Sequence, residues 1–334
     1  PRPQGFRMTV LVTGGAGYIG SHTARWLRRS GRDVVVLDSL ELGHRRAVGD
    51  APLVVGDVAD AALVERVVAR HGIDSCIHFA AYKNAGESML RPDKYFGNNT
   101  AGSHALVDAL QRAGVRRIVF SSTCAVYGTP EVSPVAETAP LRPESPYGES
   151  KLMVERILDW YDRLHGVRSV RLRYFNAAGA SPDGDLGEDW RFSLNLVPVA
   201  IKATLGRRAP LDVFGTDYPT ADGTAIRDYI HVDDLAAAHL AALEWLERGG
   251  ESTAVNLGTG IGSTVREVLH AIERASGRPV PHSDTARRPG DPVQVYADNR
   301  LAHELLGWTP RYDLQGIVDT AWRWHAAHLD GFSA

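Results

Sequence analysis

The chain has 334 residues, 44% of them hydrophobic and 23% charged, with a formal net charge of −3, a globular composition with room for about two domains. The slightly acidic balance offers no basic field for nucleic-acid phosphates, and no apolar run approaches the roughly 20 residues of a membrane helix, so neither nucleic acid nor membrane is expected as a partner. Two cysteines, Cys76 and Cys124, each inside an apolar strand-like run, suggest neither a disulfide framework nor a metal site and point to a reducing cytoplasm.

The opening PRPQGFR lacks the apolar core of a signal peptide and reads as an appended stretch before Met8. From there short apolar runs alternate with longer amphipathic ones. The predicted strands are 9–13, 33–38, 53–55, 75–79, 117–121, 169–174 and 254–257. The predicted helices are 19–30, 61–71, 99–113, 148–165, 233–248, 265–275 and 297–306. Alternation of this kind marks β-α-β units and predicts an α/β fold with a Rossmann-type, doubly wound parallel sheet. Beyond about residue 178 the strands thin out, and stretches rich in Gly, Pro and Asp, such as ASPDGDLGEDW, read as long loops over a smaller C-terminal α/β lobe. The expected domains are 8–178, with return segments near 225–260, and 179–330.

The first strand and helix carry a cofactor signal. In VLVTGGAGYIGSH, Gly14, Gly17 and Gly20 fall in a G-x-x-G-x-x-G spacing, with Tyr18 and Ile19 at the helix start. Positions without side chains let the backbone reach a pyrophosphate, and the helix N-terminus adds amide donors and partial positive charge. The next strand ends in Asp38, 18 residues after Gly20. An acid there can accept both hydroxyls of an adenosine ribose and repels a 2′-phosphate, which favours NAD over NADP. A turn-capping aspartate is the plainer reading. Asp57, with Val58 beside it, is a partner for adenine or simply a loop aspartate.

SPYGESKLMVE is the sharpest motif. The chain has 11 tyrosines, but its 37 Lys and Arg residues include only four lysines, Lys83, Lys94, Lys151 and Lys202. A chance Tyr-x-x-x-Lys pair is therefore expected about 0.1 times. Pro146 favours a helix start just after Ser145, so Tyr147 and Lys151, one turn apart, share a face. A free phenol titrates at about 10 and is a poor base at neutral pH. A cation at roughly 4 Å contributes about 4 kcal/mol at an effective dielectric of about 20, or roughly three pKa units, enough to make tyrosine a base. An exposed i,i+4 pair is the plain alternative. The strand ending in Ser121, Ser122 and Thr123 weighs against it, since a hydroxyl at the carboxyl edge of the sheet can bridge substrate and Tyr147.

With IHFAAYKNAGES, FSSTCAVYG, RLRYFNAAGA, FGTDYPTADGTAIRDYIHVDDLA, NLGTG and RRPGD, these pieces run in order from about residue 9 to residue 298. Together they resemble the extended short-chain dehydrogenase/reductase family, in particular its UDP-hexose 4-epimerases. The glycine and Tyr-x-x-x-Lys motifs mark only the superfamily, whereas AYKNAGES, DYPTADGTAIRDYIHV and RRPGD are more specific. The resemblance implies a two-lobed subunit with tightly held NAD+, a UDP-hexose in the cleft, and a homodimer formed through helices 99–113 and 148–165. Tyr147 would take the 4-hydroxyl proton, Lys151 would lower the Tyr147 pKa and hold the nicotinamide ribose, and Thr123 would fill the family's Ser/Thr position. Lys83 and Asn98 would lie along the cofactor, with Phe79, Ala80, Ser121 and Phe175 lining its bed. Asn176, Asn195, Leu196, Val213, Phe214, Arg227, Tyr229, Arg288 and Asp291 would hold the nucleotide sugar, with Lys83 and Thr123 also reaching it.

Inverting one stereocentre requires the hexose to turn over while its anchor stays fixed. Strong contacts therefore belong on uridine and diphosphate, where Arg227 and Arg288 can form charge-assisted bonds, although surface ion pairing is the plain reading of either. Val295 falls where some epimerases close the sugar pocket with tyrosine, which suggests room for a 2-acetamido group and UDP-N-acetylhexosamines as further substrates. Trp190, Arg191 and Phe192 depart from the family pattern. A 4,6-dehydratase needs Asp-Glu just after the strand-end threonine, where this chain has Cys124-Ala125. A C6-carboxylate substrate finds no clear provision. A non-catalytic NAD sensor would not need Tyr147, Lys151 and Thr123 together.

Overall fold

The computed structural model describes residues 8–332 except 190, 192 and 289. Two compact units divide the chain: residues up to Gly128, Pro143–Arg173 and Ala236–Val255 form the first, and Thr129–Arg142, Tyr174–Leu235 and the residues from Asn256 onward form the second.

The first unit is built on strands β1 (Thr9–Thr13), β2 (Asp33–Asp38), β3 (Leu53–Val55), β4 (Ile73–His78), β5 (Arg117–Thr123) and β6 (Arg168–Tyr174). With Thr253–Leu257 they form a seven-stranded sheet in the order Thr253–Leu257, β6, β5, β4, β1, β2, β3, and the pairings from β3 through β5 are parallel. Continuous apolar runs such as VLV and VVVL suit a sheet covered on both faces. Leu11 and Phe120 pack with Leu106 and Leu110 of helix Ser103–Arg112 and with Val154 and Leu158 of helix Pro146–His165. That core fixes the long helix against the end of β5.

Some boundaries differ from the sequence reading. β5 runs on through Ser122 and Thr123. Cys124 lies outside any strand, in the 3₁₀ turn Cys124–Tyr127, because the Thr123 side chain accepts the Ala125 amide and turns the backbone. The helix expected over 99–113 is a π-helical segment, Phe96–Gly102, followed by an α-helix, Ser103–Arg112. The helix expected from 297 begins at Arg300, since Val135 bridges Ala297 and accepts the Asp298 amide.

The second unit packs helices Leu196–Thr204, Val265–Ser276 and Leu314–Ala327 around Ile201, Leu269, Ile272 and Ile317. Its expected loops carry short strands. Ile226–Arg227 lies between Ser263–Thr264 and Gln294–Val295, while Leu211–Phe214 pairs with His282–Thr285 and Asn176–Ala178 with Tyr229–His231. Among the described residues no helix is long and apolar enough to cross a membrane, and no group of three or more His, Cys, Asp or Glu side chains could hold a metal ion.

Candidate active site

At the carboxyl end of β1 the glycines divide their work. Gly14 has φ +71°, and a Cβ there would lie 2.5 Å from the Ala80 nitrogen, while a Cβ on Gly20 would strike the Gly14 carbonyl. Both positions are closed by packing. Gly17 is less crowded: a Cβ there would make one tight contact, 3.3 Å from the Gly14 oxygen. Gly17 also caps helix Tyr18–Arg29, which has no side-chain cap and no acid in its first turn. This cradle of glycines at an uncapped helix start fits a pyrophosphate.

Asp38 is 6% exposed and already serves the turn, its two oxygens accepting the amides of Ala16 (2.9 Å) and Leu40 (2.8 Å). A carboxylate has about four acceptor sites, so this capping leaves capacity for a ribose. Asp57 is exposed and accepts the Ala59 amide at 2.8 Å, with Val58 buried beside it. The Phe79 ring packs 4.6 Å from His239, Lys83 is exposed, and the Asn98 amide donates to Asn99 Oδ1 at 3.0 Å.

Ser145 caps the long helix through the Gly148 amide (3.2 Å), and Pro146 occupies its first turn. A Cβ at Gly148 would lie 2.7 Å from the Ala125 carbonyl, so glycine lets the helix start approach the turn after β5. Three successive residues of β5 then meet three helix residues spaced by four. The Lys151 ammonium donates to the Ser121 carbonyl at 2.9 Å. The Ser122 hydroxyl donates to Glu155 Oε1 at 2.5 Å. The side chains of Thr123 and Tyr147 share a hydrogen bond. Behind them Arg173 binds Glu155 through Nε (3.0 Å) and Nη2 (2.5 Å), and the Tyr127 hydroxyl through Nη1 (3.0 Å).

Burial pushes the Tyr147 phenol up to about 12, although the Thr123 hydrogen bond pulls the other way. Burial also pushes the Lys151 ammonium down to about 7. In the protein alone desolvation decides the phenol's pKa, and the ammonium is anchored on a carbonyl.

The sequence reading passed over several groups near this set. His78 is 2% exposed, with Nδ1 2.7 Å from the Thr13 hydroxyl and Nε2 2.8 Å from the Ser103 hydroxyl, and burial lowers its pKa to about 3. Tyr95 presents its ring edge-on to Tyr147 at 6.4 Å and donates its hydroxyl to Glu87 at 2.8 Å. Glu155, four residues beyond Lys151, was signalled by the same helical spacing that selected Tyr147.

In the second unit Arg227 Nη2 lies 2.9 Å from Asp291 Oδ1, and Val295 is the strand partner of Arg227. The Arg288 guanidinium stacks 3.7 Å over the Phe214 ring. The Asn176 amide donates to the Asp228 carbonyl at 2.9 Å. Val213, Tyr229 and Phe175 are buried, and the Phe175 amide donates to the Leu257 carbonyl at 3.2 Å. Asn195 is exposed at the start of the helix beginning at Leu196 and caps it without a side-chain bond. Arg191 pairs with Asp189, whereas Trp190 and Phe192 lie outside the described residues. Another group passed over is Asp228, fully buried, which accepts the amides of Thr259 (2.8 Å), Gly260 (3.2 Å) and Ala297 (3.1 Å).

A pyrophosphate-fitted glycine turn and a Thr-Tyr-Lys set, both at the carboxyl end of a parallel sheet, are the layout of a dinucleotide-binding α/β enzyme. The chain belongs to the NAD dependent epimerase/dehydratase family, whose model matches residues 10–258. A UDP-glucose 4-epimerase of Azospirillum brasilense is 51% identical over 317 residues, 94% of this chain and 91% of that protein. One from Lacticaseibacillus casei is 47% identical over 327 residues, 97% and 99% of the two chains. The crystal structure of UDP-glucose 4-epimerase from Brucella ovis in complex with NAD superposes with a TM-score of 0.93 at 46% identity, covering 94% of this chain and 97% of that one.

Proposed function

We propose that the chain is a UDP-glucose 4-epimerase that interconverts UDP-glucose and UDP-galactose with a tightly held NAD+. The observation that carries this reading is the Thr123–Tyr147–Lys151 set at the end of β5, with Thr123 and Lys151 buried and Tyr147 half-buried, in a chain related along nearly its full length to UDP-glucose 4-epimerases. When bound, NAD+ would accept a hydride from C4 of the hexose and return it to the opposite face of the transient 4-ketone.

The chain's own residues supply the rest. Gly14, Gly17 and Gly20, with Tyr18 and Ile19, would receive the pyrophosphate. Asp38 would take the adenosine ribose, Asp57 and Val58 the adenine, and Phe79, Ala80, Lys83, Asn98, Ser121 and Phe175 the remaining length. Tyr147 would remove the 4-hydroxyl proton and give it back, with Thr123 aligning hydroxyl and phenol. A phenol that burial holds at about 12 needs added positive charge to ionise near neutral pH. Lys151, once bonded to the nicotinamide ribose, and the oxidised cofactor both supply it. Arg227 and Arg288 would grip the diphosphate, with Asp291 releasing Arg227 to do so. Asn176, Asn195, Leu196, Val213, Phe214, Tyr229 and Val295 would contact uridine and sugar. In this division NAD belongs to residues 8–178 with their return segments, and the nucleotide sugar to 179–330 together with Lys83, Thr123 and Asn176.

A homodimer is supported by exposed apolar side chains on the first unit, including Met89, Trp160 and Leu164. The first unit also carries an apolar hollow of about 410 Å³ lined by Phe96, Thr100, Ala101, His104, Met153 and Ile157. The enzyme would act in the cytoplasm, in galactose metabolism. The names of the Azospirillum brasilense and Lacticaseibacillus casei relatives support UDP-glucose as substrate.

The test is to incubate purified protein, without added NAD, with UDP-galactose, UDP-N-acetylgalactosamine and dTDP-glucose. UDP-glucose should form from UDP-galactose; no conversion of any sugar overturns the reading. Turnover of the acetamido sugar would show that the space beside Val295 is used.

A further inference from the structure

We infer that Glu41 and Tyr82 form a strap that retains the dinucleotide against the glycine-rich turn. The inference rests on the NAD site proposed above. β2 and β4 flank β1 in the sheet, so the loops that follow them leave the same sheet edge on either side of the Gly14–Gly20 turn. Their roots are separated by two strand spacings, on the order of 10 Å. The two loops are joined across that span: the Tyr82 hydroxyl donates to Glu41 Oε2 at 2.6 Å.

Both ends of this bridge are anchored. Leu40, next to Glu41, has φ 61°, the only positive φ outside glycine among the described residues. A leucine rarely adopts that conformation, and such strain persists only where the surroundings enforce it. Here the Leu40 amide donates to Asp38 Oδ1 at 2.8 Å, so the carboxylate placed at the ribose also bends the chain that presents Glu41. On the other side Asn99, 1% exposed, clamps Tyr82 by accepting its amide (2.9 Å) and donating to its carbonyl (3.0 Å). Asn99 also donates to Ser150 Oγ at 3.2 Å, in the helix that carries Tyr147. The Lys94 ammonium sits 3.9 Å over the Tyr82 ring.

Tyr82 is therefore the fixed post, and the exposed Glu41 carboxylate is the half that can swing. Burial, reinforced by the Glu41 hydrogen bond, pushes the Tyr82 phenol up to about 12, so it remains a donor at physiological pH. A phenol–carboxylate bond is charge-assisted and stronger than a neutral one. Its use fits the chemistry: the cofactor ends each turnover in its starting state, so release serves no purpose.

The test uses purified holoprotein of the wild type, Glu41→Gln, Tyr82→Phe and the double variant. Each is diluted, and free NAD+ is followed over time by an enzymatic cycling assay, with native mass spectrometry reporting the loaded fraction. Each single variant should release NAD+ about tenfold faster, and the double no faster than the faster single, because both remove one contact. Release at the wild-type rate by both single variants, with unchanged melting temperatures, overturns the strap. Release by the double that is the product of the two single effects also overturns it, since the side chains would then act separately. A wild-type chain that carries no dinucleotide overturns the underlying site reading, and the strap with it.

Discussion

Tyr147 and Lys151 are one helical turn apart, yet burial drives their pKa values away from each other. The phenol moves up to about 12 and the ammonium down to about 7. Lost hydration disfavours the charged form of each, and ionising the phenol depends on positive charge brought close to it. Stability should record this. Lys151 has an ordinary value of 10.5 unfolded and about 7 folded, so between those limits the unfolded chain binds more protons. The Lys151 contribution to stability is then full above 10.5, falls as the pH drops through that window, and is lost below about 7. In ligand-free protein, thermal melts of the wild type minus those of Lys151→Met should rise with pH between these values. A flat difference would show that the ammonium is not desolvated. At this scale the sequence was only partly legible. The Tyr147–Lys151 pairing follows from helical spacing, and Gly17 from the fingerprint. That Lys151 would bond the Ser121 carbonyl, or that Asp38 would spend two acceptor positions on Ala16 and Leu40, depends on contacts between distant segments.

The element that organises the site is the Pro146–His165 helix laid along the end of β5. Its third turn carries Glu155, paired with Arg173 at 5% and 6% side-chain exposure. Removing one partner of a buried pair leaves an uncompensated charge and costs about 3–5 kcal/mol, whereas replacing both by apolar residues of similar volume is often neutral. Glu155→Leu should therefore lower the urea-unfolding free energy by about 3–5 kcal/mol. Adding Arg173→Met should recover most of that loss, and a double variant no more stable than the single would show that the pair is not the cause. Elements with strong periodicity were legible here: the helix over 61–71 and the strands at 9–13 and 33–38 match the structure. Others were not. Pro198 obscured helix Leu196–Thr204, although it sits in the first turn, where a missing amide proton costs nothing. Gly316 and a run of aromatics hid helix Leu314–Ala327, which is held by packing of Ile317, Ala321 and Trp324 rather than by propensity.

For the whole molecule, membership of the NAD dependent epimerase/dehydratase family and identity to UDP-glucose 4-epimerases along nearly the full length set the chemistry. If the Trp160 and Leu164 face joins two copies, Trp160→Asp with Leu164→Glu should shift sedimentation from dimer to monomer; an unchanged dimer would place the interface elsewhere. The most direct test of the central claim follows the hydrogen on C4. Purified protein without added NAD, given UDP-galactose deuterated at C4, should yield UDP-glucose that keeps the deuterium, while Tyr147→Phe slows conversion about a thousandfold. Loss of the deuterium to solvent, or a Tyr147→Phe rate equal to that of the wild type, would contradict internal return of the C4 hydrogen under control of Tyr147.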